Sequence, residues 1–220
     1  MKNLIILSGC SGVGKSSFWA FLQRTPPAIE RVKQSIPFFD PGAAHFIDTT
    51  KTLRKTLRKT LGKTVRKDRL IMADPSAAFL VLHYDITHVY RIGTRDFNSD
   101  VALKFARQFD RIDVIHVGAP PRRLSAQFQK RAEERIAAGL KSDTIITKLR
   151  NRLRKLGAFL RGRQFLTEEE IYSDDRLIEE INIHWLNFIK NDMSSNHEAT
   201  LLEVAALPNM EFTIAETMSK

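Results

Sequence analysis

The chain has 220 residues, 43% of them hydrophobic, enough for one α/β domain with a full core and too apolar for a disordered protein. Its longest apolar runs are strand-sized, which excludes a transmembrane helix. Its single cysteine, Cys10, excludes an intrachain disulfide framework and points to a reducing cytoplasm. The formal net charge of +10 favours polyanionic partners, and it is unevenly spread: residues 51–69 hold nine Lys/Arg against one acid, residues 122–163 thirteen against three, and residues 164–220 three against twelve.

Leu4–Leu7 reads as a buried strand, too short and too close to the next motif to be a signal peptide. Gly9–Ser16 reads G-C-S-G-V-G-K-S, a full match to G-x-x-x-x-G-K-[ST], and Ser17–Leu22 reads as the start of a helix. A loop between strand and helix wraps its N–H groups around a phosphate chain at the positive end of the helix dipole. The expected nucleotide-binding set is therefore Gly9, Cys10, Ser11, Gly12, Val13, Gly14, Lys15, Ser16 and Ser17. Lys15 reaches the terminal phosphates in this reading, and the Ser16 hydroxyl ligates Mg²⁺.

Pro26-Pro27 reads as a break, and Ile36–Phe39 as a second strand ending at Asp40, with Pro41-Gly42 as its turn. Residues 51–67 repeat every four residues (TLRK, TLRK, TLGK, TVRK), which predicts a helix with Leu53, Leu57, Leu61 and Val65 as a slanting apolar stripe beside a cationic face. Phe79–Leu82 is the strongest buried-strand signal and runs on to Asp85; Leu70–Asp74 has the same form. One of these acids is expected to hold the Mg²⁺ shell. Asp85 is preferred because its strand is more hydrophobic and Asp74-Pro75 reads as a turn.

A helix is expected over 100–110, capped by Ser99, then a strand at Val114–Val117 ending at Gly118 and Pro120-Pro121. Strand, helix, strand makes a parallel crossover. Pro121 opens a helix with Leu124, Phe128, Ala132 and Ile136 on its apolar face, closed by Gly139. Ser142 caps another, with Ile145, Leu149, Leu153, Leu156 and Leu160 at helical spacing. Thr167 and Glu170 fit a capping box, and Leu177, Ile178, Ile181, Trp185, Phe188 and Ile189 mark a long helix. Leu201–Val204 and Phe212–Ile214 are the last strands. The expected fold is one three-layer α/β domain over 1–220, of the P-loop NTPase kind with a parallel sheet. It carries a basic helical insert at about 49–69 and a lid-like helical region at about 122–163.

The run Ser8–Ser17 resembles the opening of the guanylate-kinase-like and related small P-loop kinases, which act on nucleotides and small molecules. Asp113–Arg135 is similar to their later strand, its proline turn and a helix ending in R-x-x-x-R. The resemblance implies that Arg131 and Arg135 belong to a lid that closes over the transferring phosphate, with Arg150, Arg152 and Arg154 behind them. It also implies a substrate-orienting acid after the second strand, a place that Asp40 fits; an ordinary turn aspartate before Pro-Gly is the alternative. The residues with which guanylate kinases hold GMP have no counterpart beyond the fragment Asp48–Arg54. The activity implied is ATP- and Mg²⁺-dependent transfer of the γ-phosphoryl group to a nucleotide or other anionic small molecule. Three alternatives stay open. A sulfotransferase also uses a phosphate loop, normally one without the full G-K-S form found here, and places a serine-bearing helix after a later strand, where Ser125 stands, although Gly118 replaces the expected arginine. A nucleic-acid-binding NTPase could use residues 51–67, and a non-catalytic nucleotide-binding module could use the loop alone. No D-x-x-G follows Asp85 and no N-K-x-D occurs, which excludes a signalling GTPase. His83 and His88 form no metal pattern.

Overall fold

The Leu4–Leu7 run forms the heart of β1 (Asn3–Gly9), whose residues from Leu4 onward are all buried. Such a strand, apolar on both faces, has to lie between two others and under helices on both sides. The computed structural model describes residues 3–48, 79–87, 97, 100–107, 109–137, 145–160, 165–193, 200–207 and 211–215. Within them β1 is followed by α1 (Lys15–Arg24), α2 (Pro26–Ser35), β2 (Ala44–Asp48), β3 (Phe79–Asp85), α3 (Val101–Ala106) and β4 (Arg111–Gly118). Then come α4 (Pro121–Ala137), α5 (Ile145–Phe159), α6 (Glu168–Tyr172), α7 (Asp175–Phe188) with a π turn at Ile189–Met193, β5 (Leu201–Ala206) and β6 (Phe212–Ile214). No helix among the described residues is long and apolar enough to cross a membrane.

The sheet has the order β2-β3-β1-β4-β5-β6. All pairs are parallel except β5–β6. This is the expected α/β fold with a parallel sheet, closed at one edge by an antiparallel hairpin. Because β1 lies between β3 and β4, the strand order switches direction at its carboxyl end, and open α/β sheets bind ligands in the crevice at such a point. Register places Ser8, Tyr84 and His116 on one face. There Trp185 of α7 stacks on Tyr84 with ring centroids 5.0 Å apart. Trp185, Phe18 and Phe39 are among the largest fully buried side chains.

Several expectations change. Pro26-Pro27 does mark the break after α1, which ends at Arg24, and it also opens α2, since a proline in the first turn gives up no helical hydrogen bond. Ile36–Phe39 is not a strand: the Ile36 N–H donates to Val32 O at 2.8 Å and the Phe39 N–H to Ile36 O at 2.9 Å, closing turns. Ile36 and Phe39 are nevertheless fully buried, so their apolarity reports core filling from a turn. The second strand is β2, and Asp40 precedes it. The cap of α3 is Asp100, whose carboxylate accepts from the N–H groups of Ala102 and Leu103, in place of Ser99, which lies outside the described residues. The Thr167–Glu170 capping box is present. The leucines of α5 do form a helix, but they face solvent. The basic repeat at 51–67 and Asp74 lie outside the described residues.

The β4–β5 seam rests on a buried carboxylate. Asp113 is fully buried; it accepts from Arg111 Nε at 2.8 Å and from the Thr200 N–H at 3.1 Å. Arg111 also donates to Thr200 Oγ1 at 3.2 Å. Arg111→Ala should therefore lower unfolding free energy by about 3 kcal/mol, the low end for breaking a buried pair because the arginine retains some water contact. Urea denaturation checks this, and a loss below about 1 kcal/mol would show that the seam holds without the ion pair.

Candidate functional site

The chain leaves β1 at Gly9 with φ +148°, where an added Cβ would lie 2.4 Å from Val117 O. Only glycine passes this point, and its passage sets the loop against the carboxyl end of β4. The loop then turns through Val13 N–H to Cys10 O (3.3 Å) and enters α1, whose first turn has neither an acid nor a side-chain cap. The leading N–H groups of α1 and its positive dipole end thus face the loop's concavity uncompensated, an arrangement suited to phosphate.

Lys15 is 4% exposed, and its ammonium donates to Gly9 O and Cys10 O, both at 2.8 Å. It is folded against the carbonyls of its own loop. Ser16, the next residue, is exposed; Ser17 is half-buried and Val13 buried. Asp85 ends β3 in register with Gly9 and accepts from the Thr87 N–H at 3.1 Å. The loop, Lys15, Ser16 and Asp85 therefore gather at one edge of the sheet. An exposed hydroxyl and a half-buried carboxylate are hard oxygen donors, the kind that suits Mg²⁺, which takes few protein ligands and fills the rest with phosphate and water. Among the described residues no group of three or more His, Cys, Asp or Glu gathers to hold a metal.

Arg131 also reaches this edge. Its Nη1 lies 2.8 Å from the position a Cβ on Gly12 would take, so the guanidinium covers the loop at a residue with φ +85°. Arg135 follows one turn later in α4, with its side chain outside what is described. Of the second-tier arginines, Arg150 has no described side chain, Arg152 is exposed, and Arg154 lies over the Phe165 ring at 5.9 Å. Asp40 does not join the site. It lies in the turn leading to the amino end of β2, its carboxylate accepting from the Gly42 N–H at 2.9 Å, whereas the loop follows the carboxyl end of β1. In a parallel sheet these are opposite edges. The acid at the carboxyl end of the second strand is Asp48, in register with His83.

One set of residues had no sequence signal. The Ser11 N–H donates to Thr87 Oγ1 at 3.1 Å, Thr87 and Tyr172 hydroxyls are 3.1 Å apart, and Tyr172 OH donates to Ser11 O at 2.8 Å. Proton counting closes the ring: Thr87 donates to Tyr172, and each group gives one hydrogen and takes one. Burial pushes the Tyr172 phenol above its ordinary range, so it remains a donor. Phe128 of α4 stacks on Tyr172 at 4.9 Å and 15°.

Beneath the loop lies a second polar cluster. Trp185 Nε1 donates to the buried Ser8 hydroxyl at 2.9 Å, and His116 Nδ1 is 3.2 Å from the same oxygen. Cys10 Sγ donates to Asn182 Oδ1 at 3.7 Å. Burial pushes the Cys10 thiol up to about 11, so it stays protonated and acts as a small filler. Burial, reinforced by the Lys15 charge and opposed by a hydrogen bond with Asn182, lowers His116 to about 4.

No family model and no curated protein matches this chain. Among solved structures it is similar to a sulfotransferase from Alicyclobacillus acidocaldarius, with 13% identity and a TM-score of 0.39 over 91% of this chain and 73% of that one. A likeness at that level carries no argument about activity.

The hydroxyl ring makes the first site prediction. Tyr172→Phe keeps the Phe128 stack but opens the ring, and should weaken nucleotide binding about tenfold, the worth of a hydrogen bond whose partners stay buried. Thr87→Ser should stay within about twofold of wild type, because the hydroxyl remains. Titration of both variants checks this, and wild-type affinity in Tyr172→Phe would remove the ring from the site. The histidine makes the second. Its native pKa lies below the ordinary 6.5, so the unfolded chain binds a proton that the native chain refuses until about pH 4. Stability is complete above pH 6.5 and is lost as pH falls towards 4, by about 3 kcal/mol. His116→Gln should flatten that slope in a pH series of urea unfolding; an unchanged slope would assign the acid loss to the carboxylates.

Proposed function

We propose that this chain is a P-loop kinase that uses ATP with Mg²⁺ and transfers the γ-phosphoryl group to a nucleotide or another anionic small molecule. The observation that carries the proposal is the guanidinium of Arg131 above Gly12 of a complete G-x-x-x-x-G-K-S loop. Phosphoryl transfer needs positioning and charge neutralisation more than covalent help, and here a cation stands outside the loop while another is built into it.

The parts divide the work. Loop N–H groups and the start of α1 hold the phosphate chain. Lys15 exchanges the Gly9 and Cys10 carbonyls for phosphate oxygens, which are better acceptors because they are charged. Ser16 and Asp85 are the groups that would hold Mg²⁺, which when bound neutralises phosphate charge. Arg131, exposed and able to move, meets the charge that develops on the transferring group. Arg135 takes its part by spacing, four residues on in the same helix. The sulfotransferase alternative is disfavoured by two observations. The Ser125 hydroxyl donates to Asp175 at 2.9 Å, towards α7, and Gly118 brings no cation to the end of β4.

Calorimetric titration and ADP release over a panel of nucleotide and small-molecule acceptors test the reading. ATP should bind more tightly with Mg²⁺ than without, and Lys15→Ala should abolish binding and turnover. Arg131→Ala should cut turnover by about 10²–10³, as when one preorganised donor is removed, with ATP affinity nearly unchanged. Turnover within about twofold of wild type would leave Arg131 as an exposed surface cation. Tight binding of 3′-phosphoadenosine 5′-phosphate with no ATP binding would replace the kinase by a sulfotransferase.

A further inference from the structure

Helix α5 presents its apolar stripe to water. Leu149, Leu153, Leu156, Phe159 and Leu160 are 56%, 60%, 55%, 77% and 75% exposed. At 100° per residue the four leucines fall within a stripe about 60° wide, and Ala158 lies on the opposite side. That opposite side is the docked one. Ala158 is buried, Lys155 Nζ is 2.6 Å from Glu170 Oε1, and the Arg154 guanidinium lies over Phe165. The helix is thus held to the domain by its back, with its leucines turned away. Residues 145–160 contain Lys148, Arg150, Arg152, Arg154 and Lys155 and no acid.

We propose that α5 docks the protein on an anionic lipid surface, its leucine stripe at the acyl boundary and the cations that flank the stripe by helical position, Lys148, Arg150 and Arg152, among the headgroups. A helix with a narrow apolar face flanked by Lys and Arg lies in the plane of such an interface without spanning it. Charge decides against the other occupants. A second copy of the helix would bring one cationic segment against another, and the basic repeat at 51–67 is repelled in the same way. A nucleic acid would satisfy the cations and leave the leucines in water. The proposal does not depend on the kinase reading.

Co-sedimentation of the full chain with vesicles tests it, using phosphatidylcholine alone or mixed with phosphatidylglycerol. Binding is expected to the mixed vesicles and little to the neutral ones. The double variant Leu153→Asp/Leu156→Asp should bind the mixed vesicles at least about tenfold more weakly. Its circular dichroism and urea midpoint should match wild type, because both positions are exposed. A milder variant, Leu153→Ser, should fall between. Failure to bind mixed vesicles would overturn the proposal, and so would full binding by the double variant, which would mean charge acts alone. Self-association in ultracentrifugation that the double variant abolishes would give the stripe to a second copy. Tighter binding of a soluble acidic peptide than of vesicles would give it to a protein partner.

Discussion

The site hangs on the closed ring of hydrogen bonds around Ser11. A glycine-rich loop has many conformations to lose, and ordering it costs more than ordering an ordinary turn. Here the loop's one non-glycine polar residue before Gly12 is held at both its N–H and its carbonyl, by Thr87 just past β3 and Tyr172 at the end of α6. Since each hydroxyl both gives and takes, no polar group is left wanting in a buried place. The ring also reaches α4. Phe128 stacks on Tyr172, and Arg131, three residues further along that helix, covers Gly12. The same aromatic contact that steadies the loop therefore sets the height of the cation above it.

The floor of the site is electrically quiet. His116 is neutral, Cys10 is protonated, and Ser8 is occupied by Trp185. None of these three groups carries a charge that competes with Lys15, whose ammonium donates to two carbonyls. What an incoming anion meets is thus the field of Lys15, the helix end and Arg131, with Asp85 as the one facing carboxylate of the expected set. A buried histidine kept neutral costs the protein its stability in acid, as its position under the loop requires.

Much of this was legible in the sequence, and the failures have physical reasons. The motif located β1, the loop and α1, because strand, glycines, lysine and hydroxyl fall within so few residues. Arg131 followed from resemblance and helix spacing. Ile36–Phe39 misled because four apolar residues fill a core equally well from a turn, and that error moved Asp40 to the wrong edge of the sheet. Ala44–Asp48 was missed because A-H-F-I-D alternates too weakly to mark a strand. Tyr172 could not be found at all. It touches Ser11 across 161 positions, and nothing local distinguishes it from any other half-apolar helix residue. The α5 leucines mark the helix but not its surroundings, since periodicity reports that a face is apolar and not what it meets.

Phe212 of β6 packs edge-on against Phe18 at 5.1 Å and beside Phe21 at 5.4 Å, and lies 3.8 Å from where a side chain on Gly14 would begin. The helix that carries Lys15 and Ser16 is thus backed by the antiparallel edge strand, across a long separation in sequence. Contacts of that kind form late, because the chain between them has to be ordered first. A substitution that frees β6 from β5 therefore reaches the glycine-rich loop from behind its helix, without touching the loop itself.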